Sequence, residues 1–302
     1  MKNIAVIGKH GQLSKAIAVR ANRFNLNIIA SYDIEDQDLT APKHEISAFA
    51  KTLPETIEGL IIAAAYTAVD NAEDNPDIAH AINAVAPGVF ADECAARNIP
   101  LVHVSTDYVF NGENDTPWTP EDNTGPINVY GKTKLDGENA IVKSGVRAAI
   151  HRTSWVYDGT GKNFMLTMLK LAETRDSLNI VNDQIGRPTY AGHLADACLT
   201  SLHKLITDDS YSGGTYHVSN TGDPISWADF AQAIFQAASN HIPQVPSVTG
   251  IPSSQYPTPA SRPSYSVMDT GAFEATFHYN LPNWKIGLKD AILEWAQNQN
   301  LG

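Results

Sequence analysis

The chain predicts an α/β protein: a doubly wound parallel sheet with a smaller α/β lobe attached. Short apolar runs alternate with helix-forming stretches through the first half, the pattern of parallel strands joined by crossover helices. A glycine turn stands between the first such run and the first helix. In the second half the strand-like runs shorten and proline-rich loops appear, which suits a lobe better than further sheet. The sheet-bearing unit is read as residues 1–152 and 191–222, and the lobe as 153–190 and 223–302.

Ile4-Ala5-Val6-Ile7 reads as a buried strand, and Lys15-Ala16-Ile17-Ala18-Val19 as the helix after the turn. Leu26-Asn27-Ile28-Ile29-Ala30 and Leu60-Ile61-Ile62 are the next strands. Asn75 and Pro76 form an N-cap and first-turn pair for a helix with Ile78, Ala81, Ile82, Val85, Val89 and Phe90 at helical spacing, interrupted at Asn83 and Pro87. Asn83 beside that apolar stripe either bonds a backbone carbonyl near the site or is exposed. Leu101-Val102-His103-Val104 is a fourth strand; residues 111–128 make a long loop, 130–141 a helix, and Val146-Arg147-Ala148-Ala149-Ile150 a fifth strand. Beyond lie the strand Leu178-Asn179-Ile180-Val181, a helix over 191–203, the strand Tyr216-His217-Val218-Ser219 and an amphipathic helix over 226–238. Residues 243–263 hold six prolines and read as a loop ordered by contact. A closing helix, 288–297, buries its apolar face against the lobe or against a second copy of the chain in a homodimer.

With 302 residues and 43% hydrophobic content the chain can fill a sizeable core. Its 33 acidic against 21 basic residues, with no basic run, argue against nucleic acid or an anionic membrane as a partner. Cys94 and Cys198 give neither a disulfide framework nor metal-ligand spacing. No signal-peptide core opens the sequence and no apolar run approaches the ~20 residues of a membrane span, so a cytoplasmic protein is expected.

Gly8 and Gly11, with Gln12 and Leu13, sit where backbone amides at a helix N-terminus can receive a pyrophosphate. The turn is G-x-x-G with Ser14 at the third position, a weak pattern strengthened by its strand and helix. Asp33 follows the second strand at the distance of a ribose-binding acid, and is either that or a solvated turn residue. No arginine follows to meet a 2′-phosphate, so the local residues lean towards NADH or dual use. Asp38 and Leu39 either pass the adenine or start a turn, and Ala63, Ala64 and Ala65 are small enough for a coenzyme to pass closely.

Tyr130 and Lys134 are four apart, hence on one face of a helix, and of the eleven tyrosines only Tyr130 has lysine at that spacing. A phenol titrates near ~10, and a cation within ~4–6 Å lowers that value. Ser105 or Thr106 at the end of the fourth strand can bond the same substrate oxygen. This trio suits reduction of a carbonyl. Trp155 closes over a sugar or nicotinamide, or packs in the core. Arg187 and Arg262 are the candidate phosphate-binding cations of an otherwise acidic chain.

Together, Gly8-Lys9-His10-Gly11-Gln12-Leu13, Ala63-Ala64-Ala65-Tyr66-Thr67-Ala68-Val69-Asp70, Ser105-Thr106-Asp107-Tyr108-Val109-Phe110-Asn111-Gly112, Tyr130-Gly131-Lys132-Thr133-Lys134-Leu135-Asp136-Gly137-Glu138, Arg152-Thr153-Ser154-Trp155-Val156-Tyr157 and Asp183-Gln184-Ile185-Gly186-Arg187-Pro188-Thr189 resemble, in order, the extended short-chain dehydrogenase/reductases and their dTDP-4-dehydrorhamnose reductase branch. The resemblance implies a Rossmann-type domain binding NADPH or NADH and a lobe binding a dTDP-sugar. Thr106 then matches the catalytic hydroxyl, Tyr130 the proton donor and Lys134 the lysine on the nicotinamide ribose. Ala64, Ala65 and Tyr66 fall beside the coenzyme; Thr67, Val69, Thr106, Asp107, Tyr108 and Trp155 fall beside the substrate. Mg2+ enters through the resemblance alone. The chain departs from the pattern at Ser14, usually glycine, and at Arg187, usually small. Two other readings stand beside this one: a non-catalytic, NADP-binding regulatory subunit, and a reductase or epimerase of another nucleotide sugar.

Overall fold

The computed structural model describes residues 1–299. Through the first half run β1 (Lys2–Ile7), α1 (Gln12–Arg20), β2 (Leu26–Tyr32), α2 (Lys43–Ala50), β3 (Gly59–Ile62), α3 (Val69–Asp74), α4 (Pro76–His80), α5 (Ala86–Ala96), β4 (Leu101–Thr106), α6 (Val129–Ser144) and β5 (Ala148–Thr153). The second half carries β6 (Val156–Tyr157), α7 (Phe164–Ala172), β7 (Ser177–Val181), β8 (Ile185–Gly186), β9 (Thr189–Tyr190), α8 (Ala191–Thr207), β10 (Gly213–His217), β11 (Ile225–Ser226), α9 (Trp227–Ala237), β12 (Ser247–Ile251), α10 (Gly271–Phe277) and α11 (Trp284–Gln299).

Six strands form one sheet in the order β10-β5-β4-β3-β1-β2, every neighbouring pair parallel. Because successive side chains point to opposite faces, each strand feeds two cores. Ile4 and Val6 of β1, Ile61 of β3 and Val102 of β4 pack with α1 and α8. Ala5, Ile7, Leu60, Ile62 and Leu101 pack on the other face with α2, α5 and Ile141 of α6. The continuous apolar strands of the sequence are therefore strands covered on both sides. The chain leaves β1 for β2 in one direction and returns to β3 on the other side of β1, so the strand order reverses between β1 and β3. Ligands of such sheets bind outside the carboxyl ends of the strands at that point.

The third core joins α7, α9 and α11 around Tyr157, Phe230, Phe235, Trp284 and Ile292, so the closing helix finds its apolar partner within its own chain. Three two-stranded ribbons, β7 with β12, β8 with β11 and β6 with β9, frame this lobe. α9 starts at a capping box between Ser226 and Asp229.

Two local expectations change. Residues 243–263 are not all loop, because β12 lies among them and pairs in parallel with β7 from Ser247 opposite Ser177 to Ile251 opposite Val181. The expected break at Asn83 and Pro87 is a π-helical turn over Ala81–Val85, and α5 continues past it. A π turn absorbs an extra residue without ending the helix, and Pro87 falls in the first turn of α5, where its missing N–H costs little.

Candidate active site

A cleft of ≈750 Å³ opens at the reversal point, floored by the turn after β1 and walled by residues after β2 and β3 and by α6. Its base is the glycine turn. Gly8 has φ +102°, and a Cβ there would lie 2.6 Å from the Ala64 nitrogen, so only glycine lets the turn pass under the strand end after β3. Gly11 N donates to Gly8 O at 3.1 Å. Gly11 then caps α1 without a side-chain bond, and the first turn carries no acid, leaving amide donors and the positive end of the helix for an anionic group. These observations fit a dinucleotide's pyrophosphate. Gln12 reaches across to the lobe, donating to Val156 O at 3.2 Å and accepting from Asn163 Nδ2 at 3.3 Å.

Gly8, Gly11, Gln12, Leu13, Asp33, Asp38, Leu39, Ala64, Ala65, Thr67, Tyr130 and Lys134 all line this cleft. Asp33 Oδ2 accepts from His10 N at 2.9 Å, which joins the acid after β2 to the glycine turn. Asp38 instead holds its own loop, accepting from Thr40 N and Oγ1. Tyr66 is held through its backbone: Asn83, fully buried in the π turn, accepts from Tyr66 N at 2.8 Å and donates to Tyr66 O at 3.1 Å and to Thr133 Oγ1 at 3.1 Å. Of the two readings of Asn83, the buried one holds. Lys162, after the turn that follows β6, also lines the cleft and was missed; the run Gly159-Thr160-Gly161-Lys162 between a strand and a helix was its signal.

α6 carries the chemistry. It starts at Asn128, whose side chain accepts from Gly131 N, and ends at Gly145 in the left-handed region. Gly131 lies against the Tyr108 carbonyl and Gly137 against the Asn83 carbonyl, where side chains would not fit, so the helix docks tightly on the π turn and on the segment after β4. That docking sets Tyr130 edge-on to Tyr108 at 5.6 Å, with Thr106 near enough to its phenol to favour ionisation. Thr106 Oγ1 donates to Asp107 Oδ1 at 2.9 Å and accepts from Tyr108 N at 3.2 Å.

The expected electrostatics are reversed. Burial pushes the Tyr130 phenol up to about 12, with Thr106 opposing and Asp107 adding to the rise. Lys134 does not bring it down, because its ammonium donates to Val104 O at 2.6 Å and stands 3.2 Å from His103 Nε2, beneath β4. Burial lowers Lys134 itself to about 8, with Glu138 opposing. One turn further along α6, Glu138 makes a buried ion pair with Arg152 of β5 at 2.7 Å and accepts from the Ser105 hydroxyl. Ser105, the alternative catalytic hydroxyl, is thereby committed to this pair.

Tyr66, Val69, Thr106, Asp107 and Tyr108 border the cleft without lining it, and Trp155, Arg187 and Arg262 likewise lie outside its lining. Trp155, at φ +49°, stacks on Trp227 at 3.5 Å and covers Gly186. Arg187 donates to Gly222 O at 2.8 Å and Met268 O at 3.1 Å, tying lobe segments together. Arg262 pairs with Asp70 at 2.8 Å, beside Val69 at the start of α3. Both guanidinium groups already have partners. No group of three or more His, Cys, Asp or Glu that could hold a metal ion occurs among the described residues, nor does any helix long and apolar enough to cross a membrane.

The family model described as the RmlD substrate binding domain matches residues 1–297. Reductases named dTDP-4-dehydrorhamnose reductase from Sinorhizobium fredii and Salmonella typhimurium are each 38% identical over 298 residues, covering 97% of this chain and 97% of their own. The chain belongs to the dTDP-4-dehydrorhamnose reductase family. Among solved structures, the family's reductase from Bacillus anthracis, determined in complex with NADP, superposes with a TM-score of 0.86 at 33% identity, covering 97% of this chain and 100% of that one. The reductase from Clostridium acetobutylicum superposes at 0.85 with 35% identity, covering 96% and 98%. A UDP-glucose 4-epimerase of Thermotoga maritima, 14% identical with a TM-score of 0.78, shares the fold. Rossmann-type architecture is thus common to reductases and epimerases, and the reductase family is set by sequence.

Proposed function

We propose that the chain reduces the 4-keto group of dTDP-4-dehydro-L-rhamnose to dTDP-L-rhamnose with NADPH, NADH serving as an alternative, in dTDP-rhamnose biosynthesis. The observation that carries this reading is that Tyr130 and Lys134 of α6 line a cleft whose floor suits a pyrophosphate, with Thr106 beside Tyr130 at the end of β4. Residues 1–152 and 191–222 serve the coenzyme and residues 153–190 and 223–302 the nucleotide sugar, with one mixture of roles: Phe273 and Phe277 of α10 pack in the core beside α8.

When bound, the reduced coenzyme supplies hydride to the carbonyl carbon. The turn from Gly8 to Leu13 holds its pyrophosphate, Asp33 a ribose hydroxyl, and Ala64, Ala65 and Tyr66 border its path. Tyr130 gives its proton to the carbonyl oxygen as charge develops there, and Thr106 bonds the same oxygen or the phenolate left behind. The Lys134 ammonium turns from the Val104 carbonyl towards the ribose and balances that phenolate. Thr67, Val69, Asp107, Tyr108 and Trp155 border the sugar, while Arg187 and Arg262 reach its phosphates by exchanging their present partners.

Incubation with NADPH and dTDP-4-dehydrorhamnose is expected to consume the reduced coenzyme's absorbance in step with the ketone. Retention of that absorbance, with both ligands bound, would overturn the reading and favour a regulatory subunit.

A further inference from the structure

At the outer end of the cleft the chain gathers more charge than a ribose hydroxyl requires. β2 runs out into residues 33–38, which contain Asp33, Glu35, Asp36 and Asp38. Three of these acids serve the backbone. Asp33 accepts from His10 N and Ile34 N, each at 2.9 Å; Asp36 accepts from Asp33 N at 3.0 Å; and Asp38 accepts from Thr40 N at 2.8 Å. Glu35 differs, because its Oε1 accepts from Lys9 Nζ at 3.2 Å and stands 2.7 Å from His10 Nε2. One carboxylate oxygen thus holds both basic side chains of the glycine turn.

NADH and NADPH make opposite demands at this corner. A 2′-hydroxyl needs an acceptor, which Asp33 supplies. A 2′-phosphate brings roughly −1.5 to −2 charges into a loop of four acids and needs cations within reach. Lys9 and His10 flank Asp33, since the His10 amide is bonded to it, yet their side chains are turned onto Glu35.

We propose that Glu35 sets the coenzyme preference of this chain: it holds Lys9 and His10 back, so that NADPH binds only by drawing them off Glu35 whereas NADH binds without disturbing them. This deepens the coenzyme reading of the cleft and rests on it. Every contact in the pair is exposed and therefore worth little by itself, which is what a preference needs if both coenzymes are to be used.

The test is direct binding, measured by nicotinamide fluorescence with NADPH and with NADH, for the wild-type chain, Glu35→Gln, and Glu35→Gln combined with Lys9→Ala and His10→Ala. Glu35→Gln is expected to tighten NADPH by about three- to tenfold while moving NADH by less than about twofold, and the triple variant to lose that gain. Equal shifts for the two coenzymes, or weaker NADPH binding by Glu35→Gln, would overturn the role of Glu35 and leave the cleft's coenzyme reading intact. Absence of binding of either coenzyme to the wild-type chain would overturn that reading and the inference with it.

Discussion

Tyr130 keeps its proton because burial penalises the phenolate, which raises the phenol to about 12. Such a group gives up the proton only to a strongly basic partner, and the oxygen of a ketone accepting hydride becomes one during the reaction. Replacing Tyr130 with Phe removes the donor but keeps the ring that stands against Tyr108. It is expected to lower kcat by about 10²- to 10⁴-fold with the coenzyme Kd unchanged, and a steady-state rate within tenfold of wild type would reject the assignment. Asp107 modulates the same proton. Its buried carboxyl is pushed up to about 6 by desolvation, hydrogen bonds from Ser266 and Thr106 opposing. Above that pH the carboxylate accepts the hydrogen bond of the Thr106 hydroxyl and its charge makes the phenol harder to ionise; below it, Asp107 is neutral and Thr106 is free to donate towards the phenol. The rate of reduction should therefore rise as pH falls through about 6, and Asp107→Asn should flatten that limb. Matching profiles for wild type and variant would show that Asp107 does not titrate in the working enzyme.

α6 shows what a sequence discloses and what it withholds. Tyr130, Lys134 and Glu138 step along one helical face, and that spacing is local chemistry, readable from the chain. The direction of each charge is not, because it depends on groups brought in by β4 and β5. Lys134 faces Val104 O and His103, and Glu138 faces Arg152 and Ser105, contacts made only once the sheet has assembled. For the same reason Arg187 and Arg262 read as free phosphate-binding cations although each has found a carbonyl or carboxylate partner in the fold. The glycine turn and Asp33 were legible because strand, turn and helix are consecutive, whereas β12 hid among prolines because its partner β7 lies far back in the chain. The Glu138–Arg152 pair is also where the element is most vulnerable. Glu138→Ala leaves the buried guanidinium without its carboxylate and should cost about 3–5 kcal/mol in urea unfolding, while replacing both residues by apolar ones of similar volume should recover much of that loss. An equal loss in single and double variants would mean that packing, including Arg152 over the Phe110 ring at 5.1 Å, outweighs the charge pair.

Across the whole molecule, the first helix, the lobe and the last helix meet at a second group of charges away from the cleft. Asp158 follows β6, Glu294 lies on α11, and Gly159 N donates to both carboxylates, at 2.8 Å to Asp158 Oδ1 and at 3.4 Å to Glu294 Oε2. Tyr190 of β9 donates to Glu294 Oε2 at 3.3 Å, and Arg20 of α1 reaches the same tyrosine at 3.4 Å and pairs with Asp196 of α8. Two acids thus share a corner that has Arg20 as its nearby cation, and desolvation followed by Glu294 raises Asp158 to about 7. The consequence for stability has a definite sign. A carboxyl with a folded pKa above its unfolded one binds more protons in the native state, so the pair contributes stability below the unfolded value of ~4 and loses it as pH rises through the folded value. Between these limits the wild-type chain should become easier to unfold as pH increases, an effect reduced by the partial exposure of the site to roughly 1–2 kcal/mol. Glu294→Gln keeps a hydrogen-bonding side chain beside Asp158 and Tyr190 while removing one negative charge. It should unfold at higher urea than wild type in mildly alkaline buffer and at nearly the same urea in acid. A constant difference at every pH would place the effect in packing of α11, and no difference would show that Arg20 already compensates both acids.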